Sequence, residues 1–113
     1  MTINENGSFN AVNFFQNDDA RIIFTFDSVE VDLTTFTSLV MEVRTGQRLN
    51  TPLVKRLVSG EEITIDAARS FTANLTTTQS GVFYAALIGE VDTNLARTLA
   101  RGKIIVTAQI AKL

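Results

Sequence analysis

Apolar residues recur at every second position along most of the chain. In "ARIIFTFD", Ile22, Phe24 and Phe26 fall on one face, and Arg21, Ile23 and Thr25 on the other. "SLVMEVRT" sets Leu39, Met41 and Val43 opposite Val40, Glu42 and Arg44. "EITID" pairs Ile63 with Ile65. "SFTANLT" turns Phe71, Ala73 and Leu75 inward and Thr72, Asn74 and Thr76 outward, and "KIIVTAQI" aligns Ile104, Val106, Ala108 and Ile110. A period of two with β-branched and aromatic enrichment predicts half-buried strands. Turn residues separate the runs: "QNDD", "RTGQRLN", "VDTN", and "SGEE" as a hairpin tip. Gly81 and Gly102 stand where strands are expected to begin, so at least one should have positive φ. Pro52 fits a loop or an edge-strand start.

Short strands at regular spacing predict an all-β fold, an antiparallel two-layer β-sandwich, Ig-like or jelly-roll-like, with about seven or eight strands. Its core should comprise Ile22, Phe24, Phe26, Leu39, Met41, Val43, Ile63, Ile65, Phe71, Leu75, Phe83, Leu87, Ile104 and Val106. Three segments compete as helix. "TTFTSLVMEV" opens on an N-cap-like threonine, "DAARSF" allows one turn, and "NLARTLARG" ends on a glycine suited to a C-cap. The apolar spacing of the first suits a strand better, and a strand is also preferred from Arg97 to Leu99. The polar residues 1–8 read as a mobile arm, and 9–113 as a single domain.

"QSGVFYAALIGE" departs from the pattern. Phe83, Ala85 and Leu87 form one face, yet Val82, Tyr84, Ala86 and Ile88 make the other face apolar too. A one-sided antiparallel sheet should carry a polar outer face. Val40 and Ile105 add apolar side chains to outer faces elsewhere. Either another part of this chain or a neighbouring subunit must cover that surface, since exposed apolar patches commonly mark interfaces. Val82, Tyr84, Ala86 and Ile88 are therefore candidate interface residues.

Composition sharpens this reading. The chain has 113 residues, and only 19% are charged, below the usual ~25%. A net charge of −2 and no basic cluster beyond Lys55-Arg56 argue against nucleic acid as a partner. The absence of histidine and cysteine removes triads, Cys-His pairs, thiolate metal sites and disulfides. Catalysis would fall to carboxylates, lysine or tyrosine. Asp18, Asp19, Asp27, Glu30, Asp32, Glu61, Glu62 and Asp66 are the acidic candidates, and most read as solvated turns. Asp27, Glu30 and Asp32 crowd one connection and offer oxygen ligands for calcium, though at no EF-hand spacing. No cofactor is expected. "NLT" at Asn74 matches a glycosylation sequon and otherwise reads as an outward strand face. Tyr84, the one tyrosine, suits an interface or a sugar contact. "MTINENGSFN" lacks the features of a signal peptide, and no apolar run approaches the ~18 residues of a membrane span. Synthesis in the cytoplasm without a Sec-type signal, and no membrane partner, are the expectation.

The order of elements from "VDLTTFTSLVMEVRTG" through "SFTANLTTTQSGVFYAALIGEVDTNLARTLARGKIIVTAQI" resembles the N-terminal domain of phage baseplate upper proteins and related short tail proteins. The resemblance is carried by Asp32-Leu33-Thr34, Val43-Arg44, Gln79 with Gly81, Tyr84 and Leu87, and Thr98-Leu99 with Gly102, Ile104 and Val106. It implies a non-enzymatic virion component, part of a tail, baseplate or adaptor, whose partners are copies of itself and other virion proteins. A carbohydrate- or cell-surface-binding sandwich using Tyr84 is the alternative. A hydrolase built on carboxylates is a third reading with less support.

Overall fold

Alternation places one side chain in two toward a shared interior, and the strands sort into two sheets around it. A computed structural model describes residues 1–92 and 95–109. The strands are β1 (Thr2–Ile3), β2 (Ser8–Phe15), β3 (Ala20–Phe26), β4 (Ser38–Arg44), β5 (Leu53–Val58), β6 (Ile63–Ala67), β7 (Ser70–Leu75), β8 (Gly81–Asp92) and β9 (Leu95–Thr107). One sheet has the order β1-β3-β7-β6 and the other β2-β9-β8-β4-β5. They pack face to face as a β-sandwich. Among the described residues there is no α-helix; Leu33–Thr35 forms one 3₁₀ turn capped by Asp32, whose carboxylate accepts from the Thr34 N–H at 3.0 Å. The segment "DAARSF" makes the β6–β7 hairpin and "NLARTLARG" lies largely in β9.

Two expectations need correction. The sheets are mixed, not purely antiparallel, because β1 runs parallel to β3 and β2 parallel to β9. Side-chain alternation sets which face a residue occupies but carries no information about the direction of the neighbouring strand. The first eight residues are also part of the sandwich. Thr2 and Ile3 pair with Thr25 and Phe26, the terminal ammonium donates to the Ile23 carbonyl at 2.8 Å, and Ile3 is fully buried. Burial of Ile3, together with the backbone pairing and the ammonium bond, docks this mostly polar segment and supplies the ninth strand.

Twelve of the fourteen expected core residues are buried; Ile22 and Ile65 are half-buried against the same cluster. Ile65 lies on the edge strand β6. Ile22 lacks a flanking strand on one side, since β1 reaches only Thr25 and Phe26. Ile3, Phe9, Val12, Leu33, Leu57, Ala73, Ala85 and Ala100 complete the interior. Ala108 lies exposed beyond the end of β9, and Ile110 falls outside the described residues, as do Thr93 and Asn94 of the "VDTN" turn.

Phenylalanines join the layers. Phe24 and Phe71 stack within the four-stranded sheet at 4.9 Å, and Phe26 lies 6.3 Å from Phe71. Phe9, from the other sheet, meets Phe24 edge-on at 5.1 Å. Such pairs contribute about 0.5–1.5 kcal/mol beyond their buried area. Gly102 makes the arrangement possible. It sits in mid-strand, not at a strand entry, directly opposite Phe9. A Cβ there would lie 2.2 Å from the Phe9 ring. Its requirement is space, whereas Gly81 has the expected positive φ, at 136°.

The "SGEE" turn is likewise not a hairpin tip. Gly60, at φ 86°, turns the chain from β5 in one sheet to β6 in the other. Glu62 is half-buried there, its carboxylate accepting from the Val58 N–H at 3.1 Å.

Gly102→Ala should destabilise the fold by about 1–3 kcal/mol, because the Phe9 ring must leave its position. Thermal melts followed by circular dichroism test this; an unchanged melting temperature would mean that the ring contact is unimportant. Ile3→Ala should cost about 2–5 kcal/mol in urea denaturation, as for other buried isoleucines. A freely mobile arm would show no change.

Candidate functional site

Residues of β8 alternate strictly across the five-stranded sheet. Phe83, Ala85, Leu87 and Gly89 are buried between the sheets. Val82, Tyr84, Ala86 and Ile88 point away from the four-stranded sheet; Val82 is 50% exposed and the other three are half-buried. The four candidate interface residues therefore share the outer face.

Strand register builds rows across that face. Val58, Val40, Ile88 and Thr98 lie side by side on β5, β4, β8 and β9. The next row reads Arg56, Glu42, Ala86, Arg101, and Ser8 on β2. Beyond it come Leu53, Arg44, Tyr84 and Lys103, then Val82, Ile105 and Asn13. Val40, expected to need cover, is only 3% exposed, flanked by Val58 and Ile88. The apolar residues of this row shield one another, so part of the cover comes from within the same sheet.

Cations surround the centre of the face. Arg101 lies opposite Ala86, Lys103 opposite Tyr84 on one side and Arg44 on the other, and Arg56 beyond Glu42. Arg56, Arg101 and Lys103 are exposed. Arg44 is held in place: its guanidinium donates to the Thr51 carbonyl at 2.8 Å and pairs with Glu42 at 3.3 Å. Its Nε is buried without a protein partner among the described residues. These four cations come from three separate strands, β4, β5 and β9, and only Lys55-Arg56 stands out by sequence as an adjacent pair. Each has outward parity in its own strand, but the strand order that assembles them is a tertiary property.

The acidic candidates are spread over the β2–β3, β3–β4 and β5–β6 connections and strand β6. Asp18 accepts from Gln109 at 3.1 Å and Asp19 from Thr76 at 2.6 Å, both between β2 and β3. Asp66 accepts from Thr72 at 2.6 Å; Thr72, expected outward, is 4% exposed because of this shielding. Asp27, Glu30 and Asp32 are exposed on the connection after β3, and Asp32 is engaged as the cap. Among the described residues, no group of three or more carboxylates is positioned to hold a metal ion. A shallow open cleft lined by Asn6, Gly7, Ser8, Thr98, Leu99, Ala100 and Arg101 adjoins the face where β2 begins. It contains no carboxylate and no nucleophile other than Ser8 and Thr98 hydroxyls. No helix among the described residues is long and apolar enough to cross a membrane.

No known protein-family model matches this chain, and no curated protein matches it. The outer face therefore has to be interpreted from its own chemistry.

Arg44→Ala should remove the clamp on the 45–52 loop and leave Glu42 without its cation. Hydrogen bonds to charged groups contribute about 1.5–3 kcal/mol, so a loss of that order is expected in urea denaturation. Limited proteolysis should shift toward cleavage within 45–52; an unchanged pattern would show that the loop is held by other contacts.

Proposed function

We propose that this chain is a non-enzymatic structural protein of a bacteriophage or prophage particle, a tail, baseplate or adaptor component, that acts through contacts between subunits. The supporting observation is the row Val82, Tyr84, Ala86 and Ile88 on the outer face, continuous with Ile105. It lies on the sheet surface facing away from the second sheet, where an apolar centre with a polar rim suits protein contact. The resemblance to baseplate upper proteins supports the virion setting, since such particles are built from repeated subunit contacts.

A sugar-binding reading has less support. Phe15 is 54% exposed on the same side, but it aligns with Thr107, four residues from the Lys103 that aligns with Tyr84. That separates the rings by about 13 Å along the strand direction, too far for one sugar ring to engage both.

Ala86→Glu tests self-association. In the monomer the new carboxylate would face water beside Arg101. In a subunit contact it would be desolvated, weakening association by on the order of 3 kcal/mol, or about a hundredfold. Sedimentation velocity should show an oligomer for the wild type and a folded monomer for the variant. A wild type that stays monomeric at high micromolar concentration would defeat the reading. A variant that unfolds would mean the face is needed within the monomer.

A further inference from the structure

We propose that the outer face of the five-stranded sheet receives the acidic 27–32 connection of a second copy of this chain, in a head-to-tail contact. The inference rests on the self-association reading above and specifies which two surfaces meet.

The receiving surface has a low centre and a positive rim. Ala86 is the small residue between Tyr84 and Ile88, so the sheet is shallowest there. Around it stand Arg44, Arg56, Arg101 and Lys103, with the carboxylates of Glu42 and Glu90 on the same face. Glu42 is already paired with Arg44. The face is therefore locally cationic in a chain whose net charge is −2, so compensating negative charge lies elsewhere on the molecule.

The connection "DSVEVD" has complementary chemistry. Asp27, Glu30 and Asp32 are exposed, the segment carries no cation, and Val29 between them is 81% exposed. Its shape is already set. The Asp27 N–H donates to the Ile3 carbonyl at 2.9 Å, and the Glu30 N–H to Ser28 Oγ at 3.3 Å. Leu33 is buried, and Val31 packs against the core. An apolar knob flanked by acids is thus presented without much ordering cost on binding. In this contact Val29 is set over Ala86, and the carboxylates of Asp27 and Glu30 face Arg101, Lys103 and Arg56.

Charge also decides against the symmetric alternative. A two-fold contact of this face with itself would bring like-charged rims together, which opposes association. The head-to-tail contact opposes unlike charges and leaves one unused surface of each kind on every dimer. Such contacts close into rings or continue as filaments.

Two double variants of the full chain test the proposal by sedimentation velocity. Arg101→Glu with Lys103→Glu spoils the face, and Val29→Lys with Glu30→Lys spoils the connection. All four positions are exposed. Each variant alone should lose association by about tenfold or more, as expected for charge reversal across a complementary contact. Mixed in equal amounts, they should recover association, because the intact connection of one variant meets the intact face of the other. Wild-type assembly should weaken between about 0.05 M and about 1 M salt, as the screening length falls to ~3 Å. If the charge-reversed face variant does not melt cooperatively, Arg101→Gln with Lys103→Gln serves instead. A wild-type oligomer that is unaffected by the Val29 and Glu30 changes overturns this proposal but leaves self-association intact. So does a mixture that forms no heterodimer. A monomeric wild type overturns both.

Discussion

The contact of Phe9 with Gly102 and Phe24 governs how the two sheets meet. Phe9 lies beside Gly102 in one sheet, and its ring occupies the space that a side chain on Gly102 would fill. From there it reaches Phe24, which stacks on Phe71 in the other sheet. One glycine thus brings an aromatic side chain close enough to link the layers. Aromatic cover of a strand glycine restores packing that the glycine itself lacks. In the parallel pairing of β2 with β9, this contact lies where the start of β2 meets the middle of β9. The N-terminal residues then have a defined path, from β1 in one sheet to β2 in the other.

With the inner faces occupied by this packing, the chemistry that distinguishes the protein lies outside. The outer face of the five-stranded sheet has neither the uniformly polar character of a solvated sheet nor the dry character of a core. Val40 is buried among neighbours of its own sheet, while Val82 remains half in water. Between them runs a row of two cations, one carboxylate and an alanine: Arg56, Glu42, Ala86 and Arg101. A surface of this kind gains little from burying area alone. It gains from a partner whose charges match, because charge matching chooses orientation and rejects wrong partners.

Much of the fold was legible in the residues themselves. Alternation placed Phe24, Leu39, Met41, Val43, Phe71, Phe83, Leu87 and Ile104 inside, because a period of two dictates which side of a sheet a residue faces. It also revealed that β8 is apolar on both sides, and so singled out Val82, Tyr84, Ala86 and Ile88. The lack of histidine and cysteine narrowed the available chemistry without any structure. Strand direction, strand order and register were not legible, because they depend on contacts between segments far apart in the chain. Those three quantities made the sheets mixed, carried Ile3 into the core and gave Gly102 a steric role where a turn was expected. They also brought Arg44, Arg56, Arg101 and Lys103 around Ala86. A cation's own strand sets only its face; which charges become its neighbours is decided by the strands that pair beside it.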